Sequence, residues 1–302
     1  MTATHALGLD IGGSSVKAAL VRGDAVLATA IRPIDQARQP GAVVGTLAAV
    51  ADEMRGSWGQ VDTIGVALPG LYDADTGVPT LLPNFPAVWH GYPFRSAAEE
   101  ALGQQVTLAN DAKAFSVAES LLGAGRGHRA VACFVLGTGV GGGVIIDGKL
   151  WRGAGYAGEF GHLSVDLDGP RCGCGNHGCV ESYASAAAIC AAAGQASVDK
   201  VFEASRAGDP AALAAIGQAV RALAAGMANV FVAIAPDRIV IGGGVATAGD
   251  ELFGPLRDAV RERVLVADPD LLQVVPASLG RFAGAIGAAL SASSGSGLAD
   301  QS

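Results

Sequence analysis

Short apolar blocks broken by glycine turns recur along the chain, and two of them share one design. A-L-G-L-D-I-G-G-S-S-V-K-A-A-L-V, starting at Ala6, reads as strand, tight turn, strand. V-A-C-F-V-L-G-T-G-V-G-G-G-V-I-I, residues 131–146, repeats the theme. A third strand is predicted over residues 25–31, and residues 41–54 carry apolar side chains at helical spacing. V-D-T-I-G-V-A-L-P-G, residues 61–70, is a continuous apolar run, as expected of a strand in a covered sheet. Residues 71–95 concentrate Pro, Asn and aromatics and read as a substrate-covering loop, with Asn84 its candidate contact. A strand over 105–109 then runs directly into a helix from about Ala112. Helices are predicted over 184–194, 197–206 and roughly 209–234, the last stopped by Pro236. A strand leading to a glycine turn follows at 237–245, a strand and turn at 271–280, and a closing helix at 282–290. Residues 291–302 are expected to fray.

Composition narrows the class. At 302 residues with 50% hydrophobic and 16% charged residues, the chain is globular, with one large domain or two ordinary ones. A net charge of −8 argues against a nucleic-acid or anionic-membrane partner. Asp10 interrupts the first apolar run, so no signal peptide is read. The longest apolar stretch, 222–235, is short for a span and contains Asn229. The expected location is the cytoplasm, where thiols stay reduced.

Glycine turns between strands can cradle phosphate with backbone N–H groups. Gly12 and Gly13 are expected to supply a positive φ and close backbone approach, with Ser14 and Lys17 adding a hydroxyl and a cation. Gly137, Thr138 and Gly139 form the second cradle, and Gly243 and Gly244 can lie flat against a base or phosphate. The pair of hairpins points to an internally duplicated fold holding a phosphate chain. Each turn leads into a strand, so no dinucleotide-binding βαβ unit fits. Asn110 and Asp111 fall at a strand's carboxyl end, where open α/β sheets place ligands. A helix N-cap is the plainer use of either residue, and the two roles are compatible.

The segment E-F-G-H-L-S-V-D-L-D-G-P-R-C-G-C-G-N-H-G-C-V-E, from Glu159 to Glu181, holds Cys172, Cys174 and Cys179 of the chain's 5 cysteines. Three thiolates in C-x-C-x4-C spacing with one imidazole form a tetrahedral Cys3His zinc site. Spacing alone leaves the imidazole open between His177, inside the cluster, and His162, on a predicted strand. Cys172 and Cys174 are too close in sequence for an easy disulfide.

D-I-G-G-S-S-V-K, N-D-A, L-G-T-G-V-G-G-G, E-F-G-H and C-G-C-G-N-H-G-C-V-E, in this order, resemble the ROK family (repressor, open reading frame, kinase) from Gly8 to about Ala289. The resemblance implies an actin-like, RNase H-like ATPase fold, with two α/β domains flanking an active-site cleft. Residues 1–112 plus about 285–302 would form the smaller domain, and 113–284 the larger one with the zinc loop. It implies ATP- and Mg²⁺-dependent phosphorylation of a hexose 6-hydroxyl. Glucose leads, ahead of fructose, N-acetylglucosamine, N-acetylmannosamine and allose.

Carried over by motif, Asp111 is the catalytic base and Asn110 its sugar-binding neighbour. Glu159, His162 and Glu181 contact the sugar, and Asp10 lies near Mg²⁺ and the transferred phosphate. The resemblance also makes His162, with Cys172, Cys174 and Cys179, the structural zinc set in place of His177. It implies a homodimer or homotetramer. Three departures stand out: Lys113 where N-D-A-N is common, G-G-S-S-V-K where G-G-T-K is usual, and Arg281 in L-G-R-F-A-G where L-G-D-x-A-G is commoner. A G-G-S form occurs in polyphosphate-using glucokinases, but those lack the cysteine cluster, so ATP is the expected donor. Family repressors carry a helix-turn-helix ahead of the kinase-like part, and the phosphate hairpin here starts too early to leave room for one.

Overall fold

The computed structural model describes residues 4–82 and 85–293, and in it each glycine hairpin forms the antiparallel corner of a five-stranded sheet. In the first sheet β1 (His5–Ile11), β2 (Ser15–Arg22) and β3 (Ala25–Pro33) run antiparallel in succession. Helix α1 (Pro40–Trp58) leads to β4 (Thr63–Leu68), which lies parallel to β1. A small ladder of β5 (Leu71–Tyr72) and β6 (Pro79–Leu81), then helix α2 (Phe94–Leu102), precede β7 (Val106–Asn110), parallel to β4. Helix α3 (Asp111–Leu121) follows β7 without a linker.

The second sheet repeats the plan. β8 (Ala130–Leu136), β9 (Val140–Ile146) and β10 (Lys149–Trp151) are antiparallel neighbours. Helices α4 (Glu181–Ala184), α5 (Ala186–Ala193), α6 (Val198–Arg206) and α7 (Pro210–Ile234) come next. β11 (Arg238–Gly242), α8 (Asp250–Arg261) and β12 (Gln273–Pro276) follow, with both strands parallel to β8, and α9 (Ala283–Ser293) comes last. The orders β3-β2-β1-β4-β7 and β10-β9-β8-β11-β12 are the same order written twice, so the duplication read from the hairpins is present in the topology.

Two compact units result, one from residues up to Leu122 and from Leu279 onward, the other Gly123–Ser278. Residues 113–122 and 279–284, expected in the larger domain, therefore lie in the first unit. Close packing on α9 is the reason. A Cβ at Gly8 would collide with the Ala285 carbonyl, one at Gly65 with that of Ala288, and one at Gly287 with that of Ala114. β1, β4 and α3 thus approach α9 backbone to backbone, and a run of small residues gives a helix buried on every side.

Elsewhere the structure revises the expectations. Segment 71–95 is largely exposed but anchored at Trp89, which is 1% exposed, donates from Nε1 to the Arg38 carbonyl at 2.6 Å and meets Phe85, Tyr92 and Phe94 ring to ring. Asn84 lies outside the described residues, as do residues 294–302 of the expected fraying tail. His162 is on a single 3-10 turn, Phe160–His162, and not on a strand, because the following residues make only an isolated bridge, Ser164 to Cys179. Helix α7 is long and apolar enough to cross a membrane by length and composition, unlike the shorter stretch read from sequence. Its Ile216, Leu223, Met227 and Phe231 are buried in the second unit's core.

Candidate active site and metal centre

In the first unit, strand register places Asp10 opposite Lys17, and Lys17 Nζ lies 3.2 Å from Asp10 Oδ2. Burial pushes the Asp10 carboxyl above the usual carboxylate range, and the Lys17 ammonium opposes this. A buried carboxylate with one cation beside it suits a site where a further cation arrives. Gly284 of α9 makes room for it, since a Cβ there would sit 2.8 Å from Asp10 Cγ. The turn closes with Gly12 N–H donating to the Ser15 carbonyl at 2.9 Å. Neither Gly12 nor Gly13 takes the left-handed backbone expected of it. Close approach is found at Gly12 alone, where a Cβ would meet Lys17 Nζ and the Ser15 carbonyl at 3.2 Å; Gly13 faces open space and Ser14 is exposed.

At the carboxyl end of β7 the N-cap role falls to Asn110. Asn110 Oδ1 accepts from Lys113 N–H at 3.1 Å, capping α3, and its Nδ2 donates to the Gly70 carbonyl at 3.0 Å and to Asp111 Oδ1 at 3.1 Å. Asp111 Oδ1 also accepts from Ala112 N–H at 2.8 Å. One carboxylate oxygen is thus fixed by two donors, which aims the other. Lys113 is buried two residues further along α3, bringing a positive charge into the helix's first turn. Arg281 is exposed on the turn before α9, and the turn itself is anchored by buried Glu119, whose Oε1 accepts from Leu279 N–H at 2.8 Å.

In the second unit the ligand atoms of His162, Cys172, Cys174 and Cys179 all lie within 4.8 Å of one another. Cys172 Sγ is 3.7 Å from His162 Nδ1, and Cys174 Sγ is 3.8 Å from Cys179 Sγ. His177 is turned away, with Nδ1 3.1 Å from the Gly169 carbonyl, while its own carbonyl accepts from Ser164 Oγ. The choice that spacing left open goes to His162. Burial drives the Cys179 thiol up to about 12, whereas the Asn176 N–H lowers that of Cys174. Two of the four, Cys172 and Cys179, are buried and two, His162 and Cys174, are exposed, and three sulfurs and a ring nitrogen converging this closely are a donor set that fits a tetrahedral metal. Tyr183 closes the loop by donating to Asp166 Oδ2 at 2.8 Å.

Glu159 precedes the 3-10 turn and His162 ends it, and the turn is pressed onto β9: a Cβ on Gly161 would collide with the Val140 carbonyl. Phe160 stacks on Phe134 with ring centroids 4.8 Å apart. At the β8–β9 corner, Gly137 N–H donates to the Gly139 carbonyl at 2.9 Å, leaving Thr138 at the tip. Gly243, at φ 91°, lies so close to β8 that a Cβ would collide with the Leu136 carbonyl, and Gly244 beyond it faces open space. The two glycine turns of this unit are therefore neighbours. Sequence reading missed the packing roles of Gly142 and Gly161. E-F-G-H was read for its polar ends, and nothing in a lone glycine announces which strand it will touch.

Two sheets of one order, each with a glycine turn at its antiparallel corner, define an actin-like ATPase fold of the sugar-kinase type. The ROK family profile matches residues 6–294, and this chain belongs to the ROK family. Glucokinase of Thermotoga maritima is 34% identical over 308 residues, covering 94% of this chain and 95% of that one. The Escherichia coli transcriptional repressor Mlc is 35% identical, but the match covers 69% of this chain and 55% of the repressor. Among solved structures, the ROK hexokinase of Thermus thermophilus superposes with a TM-score of 0.86 at 34% identity, covering 96% of this chain and 98% of that one. The ROK glucokinase of Streptomyces griseus, solved with glucose and AMPPNP, gives 0.80 at 32% identity, covering 96% and 100%.

Proposed function

We propose that this chain is a hexose kinase that transfers the terminal phosphoryl group of ATP to the 6-hydroxyl of glucose. The observation that carries the reading is the Asp111 carboxylate, held at the carboxyl end of β7 with one oxygen tied to Asn110 and Ala112. A sugar hydroxyl is a weak nucleophile, and a positioned carboxylate that takes its proton contributes ~10²–10⁴-fold. Asp111 accepts the proton as O6 forms its bond to the γ-phosphorus, and ADP leaves with the bridging electrons. Asn110, Glu159, His162 and Glu181 grip ring hydroxyls, a polar set that rejects sugars lacking the matching group.

Gly12, Gly13, Ser14 and Lys17 from one turn, and Gly137, Thr138, Gly139, Gly243 and Gly244 from the others, hold the donor's phosphates. Mg²⁺ bound with ATP would supply charge neutralisation, and Asp10 is the carboxylate that would serve it. Zn²⁺ is the metal we assign to His162, Cys172, Cys174 and Cys179. Four protein ligands leave no open position, so its part is structural, fixing the ring of His162. The likeness to glucokinases supports glucose and ATP as the substrate pair.

The test is a coupled assay of the wild-type protein with ATP, or with polyphosphate, across glucose, fructose, N-acetylglucosamine, N-acetylmannosamine and allose. Turnover with ATP that is highest on glucose is expected. Preference for another hexose overturns the substrate assignment, and ATP-independent turnover with polyphosphate overturns the donor.

A further inference from the structure

One carboxylate joins the metal loop to the phosphate turn. Glu181, two residues after Cys179, accepts from Val140 N–H through Oε2 at 2.9 Å, while Oε1 lies 3.8 Å from Cys172 Sγ. Val140 is the residue immediately after the Gly137–Gly139 turn and is 4% exposed, so its N–H is shielded from bulk water. The other end of the turn is held from the same side, because the Gly137 carbonyl accepts from Ala186 N–H at 2.8 Å. The fit is tight: a Cβ at Gly139 would stand 2.5 Å from Glu181 Oε2. Both ends of the turn are therefore fastened to the short segment that carries α4 and the start of α5, and Glu181 is the only ionisable side chain in that fastening.

We propose that Glu181 is a positioning residue for the phosphoryl donor as well as a sugar contact, so that donor and sugar affinities are coupled through it. The proposal rests on the kinase reading above and deepens it. A carboxylate that holds Val140 N–H cannot re-aim toward a sugar hydroxyl without disturbing the turn. A turn shifted by bound phosphate likewise moves Oε2. Thermodynamic linkage makes the effect mutual: whatever the sugar does to donor affinity, the donor does to sugar affinity.

Two variants are each read with the ligand that the altered residue does not touch. Glu181→Ala is titrated calorimetrically with Mg²⁺-AMPPNP in the absence of sugar, and Gly139→Ala with glucose in the absence of nucleotide. Each is expected to bind at least about fivefold more weakly than wild type, the low end of site-to-site coupling. Glu181→Gln, which keeps an acceptor for Val140 N–H, is expected to recover nucleotide affinity while glucose affinity stays weak. Metal content is measured alongside, and if Glu181→Ala loses the metal, Glu181→Gln and Gly139→Ala decide. Wild-type nucleotide affinity in metal-loaded Glu181→Ala, or wild-type glucose affinity in Gly139→Ala, overturns the proposal. A wild-type protein that binds neither ligand would instead overturn the kinase reading.

Discussion

The two glycine hairpins occupy equivalent corners of equivalent sheets, yet they are held in different ways. The first is backed by apolar close packing, with Gly8, Gly65 and Gly287 bringing strand and helix backbones into contact along α9. Its one polar feature of note is the Asp10–Lys17 pair. The second has similar close packing, Gly161 on β9 and Gly243 on β8, and adds polar and metal-ligating groups: Glu181 on Val140 N–H, Ala186 N–H on the Gly137 carbonyl, and the Cys3His cluster that leads up to Glu181. Dispersion and burial hold the first corner without cofactors. The second hangs on a glycine-rich loop that, in the proposed reading, takes its shape from a bound cation. One topology is thus supported in two ways, and the half that holds the Cys3His cluster carries most of the sugar-gripping residues in the proposed reading.

Substitutions can break that contrast in graded steps. Asp111→Asn belongs to the self-supporting half, so its kcat should fall ~10²–10⁴-fold while metal content and thermal unfolding stay as in wild type. Steady-state kinetics with elemental analysis checks this, and near-normal turnover removes Asp111 from its role. Cys179→Ser strikes the other half. Bound zinc should drop from one per chain, the number of Cys/His clusters found among the described residues, to none, and calorimetric glucose binding should vanish with it. If glucose still binds, the loop holds its shape without metal and the contrast is false.

Gly65→Ala forces a methyl against the Ala288 carbonyl and should destabilise the protein by about 1–3 kcal/mol in denaturant melts, with zinc retained. A neutral effect would mean that α9 packs more loosely than described. The smallest effect belongs to Tyr183→Phe, which removes the hydrogen bond to Asp166 and should cost about 1 kcal/mol. Burial and Asp166 push the Tyr183 phenol up to about 12, above its ordinary value, so the folded state favours the protonated form. That contribution is complete below the ordinary phenol range, about pH 10, and is lost as pH rises toward 12. Melts across this window should show wild type and Tyr183→Phe converging as pH rises.

Much of this was legible because the relevant residue types are scarce. Cysteines at C-x-C-x4-C spacing, a glutamate after the last of them and an E-F-G-H upstream are specific, and strand–glycine–strand blocks stand out by periodicity. What was hidden was hidden for physical reasons. Spacing could not choose between His162 and His177, since the choice rests on which ring faces the thiols and which faces the Gly169 carbonyl. Helix α8 went unseen because Gly254 and Pro255 interrupt a pattern whose buried face is Leu252, Phe253, Leu256 and Val260. In α2 the buried Phe94, Ala98 and Leu102 do recur every four residues, a signal available to a closer reading. The bond between Glu181 and Val140 spans 41 residues, and no local pattern encodes it. Of the two properties expected of Gly12 and Gly13, the positive φ is absent at both, and close neighbours are found at Gly12 alone.

The most direct test of the account follows phosphorus through one reaction. Wild-type protein given ATP, Mg²⁺ and glucose, observed by ³¹P NMR, should produce glucose 6-phosphate and ADP in equal amounts, and Asp111→Asn under the same conditions should do so ~10²–10⁴-fold more slowly. Phosphate released to water in place of sugar, a phosphoryl group on another hydroxyl, or an equal rate from the variant would contradict it.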